Sequence, residues 1–356
     1  MPDRPLRVLL THEMYLPQFG GGGEYLVART AEELAKRNVD VRVLTTGDPA
    51  VTQHQGVPTR RIPIRRHAFA LAIPEIIRMA RESDVIQTFN YNACLPTLAA
   101  ARLARKPVVC LFLAIFHDAW KEMKGGLGGH AYIALERLMV RRRFDKSIFL
   151  GTYSHELAQS LGAPADSEVL SIAIDLEKFR PAQQKENSVL FTGKYDVRKG
   201  VYEVLAVARK LPHIAFRMMG WGPEEGNLRA QAPPNVDFLP YDHGAPLSEA
   251  LSKASIFLLP SRGEAFPIAL AQAMASGCAV LFTKPLMFRG ATVDAGDVEG
   301  IAAAVQSLWS NPVEAARLGR ENVVLAEEFS WENYTSRLLG IYDRVLNGPL
   351  RGATAH

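Results

Sequence analysis

The sequence predicts an α/β protein made of two Rossmann-like, doubly wound domains. Three observations carry this. Ile256 to Phe282 reads strand, loop, helix, tight stop, strand, which is one parallel βαβ unit. Leu6 to Leu10 reads as an opening strand that runs through the glycines Gly20 to Gly23 into a helix from Glu24 to Lys36. A second series of alternating strands and helices begins at Ser188, after the polar, breaker-rich segment Pro181 to Asn187. The 356 residues suit two domains of ordinary size rather than one core.

Composition narrows the class. With 48% hydrophobic and 22% charged residues the chain is globular, not disordered. No apolar run approaches the roughly 20 residues of a membrane span. Pro107 to Phe116 is the longest, a buried strand by its length. Met1 to Leu10 carries charge and turns directly into a strand, so no signal peptide is expected. Cys94, Cys110 and Cys278 sit in apolar contexts, as reduced core thiols of a cytoplasmic protein would, and no Cys/His spacing suits zinc. The net charge of +4 conceals an asymmetry: the first 170 residues carry 22 Lys and Arg against 17 Asp and Glu. Arg60-Arg61, Arg65-Arg66 and Arg141-Arg142-Arg143 hold much of it. Such a surface attracts anionic lipid or a phosphorylated ligand, or is simply solvated; without interleaved aromatic residues it does not suit nucleic acid.

In chain order, the four glycines forbid a regular element and permit close backbone approach to a ligand. Asp40 to Thr45 is the second strand, Arg60 to Arg66 alternates like an edge strand, and a helix follows around Pro74 to Arg81. Asp84 to Asn90 is a strand. Lys106 to Phe116 is the next, delivering His117-Asp118 to its carboxyl end, where open parallel sheets bind ligands. Lys124 to His130, rich in glycine, is expected to be mobile, and the helix after it to include Arg141 to Arg143. Phe149 to Ser154 and a helix from His155 to Leu161 complete the first series.

In the second series Val189 to Gly193 is a strand, followed by Lys194 to Gly200 and a helix to Lys210. Cations at a helix start oppose the helix dipole, so Lys194 and Lys199 point to anion binding. Phe216 to Met219 is a strand ending in Gly220-Trp221-Gly222-Pro223, and Val236 to Tyr241 follows. Beyond Ile256 to Leu259, Pro260 to Gly263 breaks the strand and Glu264 falls on the loop before the next helix. Pro267 fits that helix's first turn and Gly277 its left-handed cap. The amides of Phe266, Pro267 and Ile268 then mark a helix N-terminus, which attracts phosphate.

Glu264-Ala265-Phe266, a helix carrying Gln272, and Ala273-Met274-Ala275-Ser276-Gly277 together resemble the signature of retaining glycosyltransferases of family 4. The resemblance extends over nearly the whole chain and is strongest in the second half. It implies the GT-B fold, two Rossmann-like domains facing across a cleft. The expected divisions are an acceptor-side domain over 1–170, a hinge over 171–187, a nucleotide-sugar domain over 188–328 and a terminal helix over 329–350 crossing back. It implies transfer of a sugar, with retention, from a UDP- or GDP-linked donor to an acceptor hydroxyl. Departure and attack share one face, and the leaving phosphate helps take the acceptor proton. Glu264 and His117 would face the donor sugar. Gly21 and Gly22 of the glycine loop, Lys194, Lys199 and the helix start at Phe266, Pro267 and Ile268 would hold the diphosphate. Gly220, Tyr241 and Gln272 would take the nucleoside. No Asp-x-Asp occurs, so neither metal nor cofactor is expected.

The chain departs from the family pattern at two places. Gln272 stands where the second Glu is usual, keeping an acceptor for a ribose hydroxyl without charge assistance. Thr283 to Gly290 replaces the usual Gly-Gly-x-Pro-Glu loop. Three other readings stay open: a catalytically silent binder of nucleotide sugars, a GT-B sugar-nucleotide epimerase, and a structural dock for membrane or protein on the basic first domain. Expected partners are the nucleotide sugar, a carbohydrate, lipid-linked or small-molecule acceptor and peripherally an anionic membrane at its inner face, with no nucleic acid.

Overall fold

A computed structural model of the chain describes residues 4–18, 22–241, 245–264 and 266–348. The chain divides into two compact units: one runs to Ser171 and takes up the chain again from Trp331, and the other is Ile172–Ser330.

The first unit begins with strand β1 (Arg7–Thr11), helix α1 (Gly22–Lys36) and β2 (Asp40–Thr46), then β3 (Gln53–His54), β4 (Val57–Ile62), α2 (Ile73–Arg81), β5 (Val85–Phe89) and α3 (Cys94–Ala104). It continues with β6 (Val108–Phe112), α4 (Ala119–Lys124), α5 (Gly126–Val140), β7 (Lys146–Leu150), α6 (Thr152–Ser160) and β8 (Glu168–Leu170). The sheet order is β3-β4-β2-β1-β5-β6-β7-β8, parallel except for the two-residue β3. Every residue of β5 and β6 is buried, as in strands covered by helices on both faces. Phe112 and Phe149 stack at 4.7 Å between ring centres in this core. Each such fully buried ring stabilises the unit by about 1.5–3 kcal/mol through burial.

Several expectations are corrected here. The strand expected from Lys106 to Phe116 ends at Phe112, and His117 lies in the loop beyond it. The alternating Arg60 to Arg66 is not an edge strand: β4 ends at Ile62 and lies between β2 and the short β3. The glycine-rich 124–130 segment is mostly helix, the first turn of α5. A Cβ on Gly129 would lie 2.8 Å from the Trp120 carbonyl and the Lys121 Cα, so glycine serves close packing of α5 on α4. Helix α5 ends at Val140, before the triple arginine. Cys94 and Cys110 of this unit and Cys278 of the other are free and buried.

The second unit contains β9 (Glu186–Lys194), α7 (Val201–Lys210), β10 (Ala215–Trp221), α8 (Glu225–Gln231), β11 (Val236–Leu239), α9 (Ala245–Lys253) and β12 (Ala254–Leu259). It ends with α10 (Ile268–Ala275), β13 (Ala279–Phe282), β14 (Gly290–Thr292), α11 (Val298–Trp309) and α12 (Pro312–Ala326). The order is β11-β10-β9-β12-β13-β14, all parallel. The winding therefore reverses between β9 and β12, and a crevice opens beyond their carboxyl ends. Of the segment 171–187 expected as the hinge, Ile172 onward falls in this unit. Lys185 explains part of this. Its ammonium donates to the carbonyls of Ser252, Ala254 and Ser276 at 2.7–3.1 Å, fastening the segment to the amino end of the central strand β12. The final helix α13 (Trp331–Asn347) packs in the first unit.

Candidate functional site

At the switch point of the second sheet, two loops meet. After β9, Asp196 accepts from the Arg198 amide at 2.9 Å and caps a single 3-10 turn, Val197–Lys199. Gly200 follows at φ 75°, and a Cβ there would fall 2.1 Å from the Pro260 carbonyl oxygen. Only glycine lets the turn sit against the end of β12. The contact is sealed by the Arg262 amide donating to the Arg198 carbonyl at 2.8 Å.

This packing delivers Lys199 and Arg198 to Glu264 on the loop after β12. Lys199 Nζ donates to Glu264 Oε1, Arg198 reaches the same oxygen at 3.3 Å, and the Ser261 hydroxyl lies 3.3 Å away. Arg198 also donates to the Gly263 carbonyl. The Glu264 side chain is 12% exposed. Burial pushes its carboxyl up, but the charges of Lys199 and Arg198 outweigh burial and hold it below the ordinary carboxylate range. The result is an ionised carboxylate with two cations at one sheet switch point.

The other expected donor residues spread around this centre. Pro267 is the N-cap of α10 and Ile268 its first residue. Pro267 has no N–H to give, which leaves the amides of Phe266 and Ile268. The Phe266 ring packs against Phe329 at 5.0 Å. Gln272 is half-buried on α10, and Gly277 takes φ 73° as the cap requires. Lys194, in contrast, is the exposed last residue of β9; the second cation at Glu264 is Arg198, which sequence reasoning missed. Gly220 is buried in β10, where a Cβ would strike the Gly193 carbonyl at 1.9 Å. It serves sheet packing and carries Trp221 beyond it onto Tyr241, with ring centres 4.4 Å apart. The replaced loop after β13 is pinned by the Thr283 hydroxyl donating to the Ser261 carbonyl at 2.6 Å and by buried Asn322, which bonds the amide and carbonyl of Arg289. A cavity of about 680 Å³ lies along it, lined by Ser261, Arg262, Thr283, Lys284 and Asp294.

In the first unit Gly21 lies outside the described residues, and Gly22 opens α1. A Cβ on the adjacent Gly23 would meet Leu113 of the loop after β6 at 3.3 Å. That loop carries His117, held at φ 43°. Its anchor is Glu136 of α5, fully buried, which accepts from Tyr91 Oη, the amides of Phe116 and His117, and Trp120 Nε1 at 2.7–3.2 Å. The carboxylate thus satisfies four donors and fixes the histidine backbone. His117 Nδ1 lies 3.1 Å from Asp118, and Arg137 lies 3.2 Å from its Nε2. This network assigns the proton to Nδ1 and leaves Nε2 accepting from Arg137. Glu136 was also missed, because an isolated Glu inside a helix gives no sequence signal that it points inward. Among the described residues no group of His, Cys, Asp and Glu could hold a metal ion. Nor is any described helix long and apolar enough to cross a membrane.

Two parallel α/β sheets of this kind, with a cation-held carboxylate at the switch point of the second, define a protein of GT-B class. Residues 20–171 match the family described as Glycosyl transferase 4-like domain, and residues 186–311 match Glycosyl transferases group 1. The chain belongs to these family 4-like glycosyltransferases and is a glycosyltransferase. It is 28% identical to a phosphatidyl-myo-inositol mannosyltransferase of Mycobacterium leprae, over 91% of this chain and 93% of that one. It is 25% identical to a D-inositol 3-phosphate glycosyltransferase of Mycobacterium ulcerans, over 96% and 87%. The Anabaena protein HepE, solved with UDP-glucose, superposes with a TM-score of 0.76 at 15% identity, covering 94% of this chain and 99% of that one.

Proposed function

We infer that the protein moves a sugar from a UDP- or GDP-linked donor to the hydroxyl of a phosphate-bearing acceptor, with retention and without a metal. The observation that carries this is the Lys199–Glu264–Arg198 cluster at the β9/β12 switch point. The two cations neutralise the carboxylate. A donor diphosphate competes for them, and Glu264 is released toward the sugar hydroxyls. As the sugar leaves, charge grows on the departing phosphate, and fixed cations stabilise it in place of a metal. The amides at the start of α10 add to this field. Gln272 accepts from the ribose, Trp221 and Tyr241 give a surface for the base, and His117 orients the sugar through its backbone carbonyl or ring. Gly22 and the glycine run provide close approach to the phosphates. The two relatives are named for phosphatidyl-myo-inositol and D-inositol 3-phosphate, which supports an acceptor carrying phosphate. The excess of Arg in the first unit supports peripheral contact with anionic membrane.

The test is a melting-temperature series with UDP, GDP, ADP and dTDP, because a ligand of the folded state raises stability by mass action. One of UDP or GDP should raise the melting temperature. Lys199→Ala and Arg198→Ala should each abolish that shift and lower EDTA-insensitive turnover by about a hundredfold, the scale of one lost electrostatic contact in a transition state. An unchanged shift and unchanged turnover in both variants overturn the reading.

A further inference from the structure

Outside the donor cluster, arginines without carboxylate partners among the described residues gather along the outer side of α5 and just past its end. A cavity of about 540 Å³ opens there, lined by Ile133, Ala134, Arg137, Leu138, Arg141 and Arg142, with His130 at its end. These positions recur at three- and four-residue spacing, so the helix brings them into one stripe. The only acid of the helix, Glu136, points inward and is consumed by its four donors. Among the described residues no carboxylate pairs with Arg137, Arg141 or Arg142, and no acid lines the cavity. The helix dipole explains some positive charge at this C-terminal end. So does a cap, since Arg141 Nε donates to the Leu161 carbonyl at 2.8 Å. Neither explains the apolar half of the stripe. Leu138 is 40% exposed in the middle of it and Leu127 is 91% exposed on the helix's first turn. Water-facing leucines beside guanidinium groups that no carboxylate neutralises form a surface with two chemistries side by side.

We propose that this groove binds the phosphate and the adjoining hydrocarbon of an amphiphilic acceptor. The phosphate sits on Arg137, Arg141 and Arg142, whose forked N–H groups match its oxygens, and the alkyl part lies against Ile133, Ala134 and Leu138. Charge complementarity selects the anion, and the exposed leucines select a chain attached to it. The groove also leads to His117, because Arg137 donates to His117 Nε2. An anion on the stripe draws Arg137 outward and frees that nitrogen, so occupancy of the groove is coupled to the state of the ring. The assignment rests on the reading that the acceptor carries phosphate.

The test uses dihexanoyl phosphatidic acid below its micelle concentration, dihexanoylglycerol as its uncharged counterpart, and inorganic phosphate, each titrated calorimetrically into the full chain. Phosphatidic acid should bind at least tenfold more tightly than either of the others, because one charge-assisted hydrogen bond set and one buried chain are each worth about a factor of ten or more. Arg137→Gln with Arg142→Gln should remove the preference over dihexanoylglycerol. Leu138→Asn should remove the preference over inorganic phosphate. All three positions are solvent-exposed, and an unchanged melting temperature confirms folding of the variants. The UDP and GDP melting shifts should persist in them, which separates failure of this proposal from failure of the donor assignment. Equal binding of phosphatidic acid and dihexanoylglycerol overturns the proposal, and so does undiminished preference in the double arginine variant. Inorganic phosphate binding as tightly as phosphatidic acid overturns the part assigned to Leu138.

Discussion

At the scale of single residues, the site turns on how a carboxylate stays charged where burial disfavours charge. Glu264 does so because Lys199 and Arg198 reach the same oxygen. Its carboxyl is held below the value of 4.5 it would have in the unfolded chain. The cluster's contribution to stability is therefore complete above about pH 4.5 and fades as pH falls through the lowered folded value. Glu264→Gln should flatten the acid limb of the stability curve in that window and leave the region above pH 6 with a constant offset, read by urea unfolding at a series of pH values. A curve that keeps its full slope places the acid sensitivity elsewhere. Much of this was legible in the sequence. Glu264 follows a buried strand and precedes a helix, and Lys199-Gly200 follows another. Arg198 was not legible, because its direction depends on one turn of 3-10 helix capped by Asp196. The sequence does not separate Arg198 from Lys194; the Asp196 cap and the Gly200–Pro260 contact do.

At the scale of elements, the loop after β6 shows where pattern reading stops. An apolar run from Pro107 to Phe116 gives no reason to end the strand at Phe112, since Leu113 to Phe116 would suit a strand as well. What ends it is tertiary. Asn90 accepts from the Leu113 amide at 3.0 Å, and buried Glu136 takes the amides of Phe116 and His117. Those donors would otherwise be buried without partners. Removing the carboxylate strands the Phe116 and His117 amides and Trp120 Nε1 and leaves Tyr91 Oη only the Ala114 carbonyl at 3.4 Å, while a Gln in its place presents an amino group to donors. Glu136→Leu should therefore cost about 3 kcal/mol or more in urea unfolding, the scale of a broken buried polar network. Glu136→Gln should cost less but still loosen the loop, seen as faster hydrogen exchange at Phe116 and His117. A loss under about 1 kcal/mol for the leucine variant would mean that water replaces the carboxylate and that the loop is not fixed by it. The glycines of α5 teach the same lesson in reverse: Gly129 reads as a breaker and acts as a packing surface for α4.

At the scale of the molecule, the first unit is discontinuous in sequence, and its last helix comes from the far end of the chain. The strand pattern marks the domains, but the periodicity of Trp331–Asn347 does not say which sheet the helix serves; the expectation that it crosses back comes from the family resemblance alone. The contacts do. Tyr342 donates to buried Gln87 of β5, the Tyr334 and Thr30 hydroxyls meet at 3.0 Å, and Arg29 of α1 lies over the Trp331 ring at 5.3 Å. Arg337 and Arg344 reach Val169 and Glu168 on the edge strand β8. Leu338, Ile341 and Tyr342 are almost fully buried. Losing three such side chains alone forfeits about 5 kcal/mol of burial and leaves Gln87 without its partner, a large fraction of the stability of one domain. Ending the chain after Ser330 should therefore lower the melting of the first unit while the second keeps its own. In a thermal scan followed by hydrogen exchange, amides of β5 and α1 should lose protection. Those of β9 and β12 should retain both their protection and its increase with UDP or GDP. If both units lose protection together, they unfold as one cooperative body, and α13 stabilises the second as much as the first.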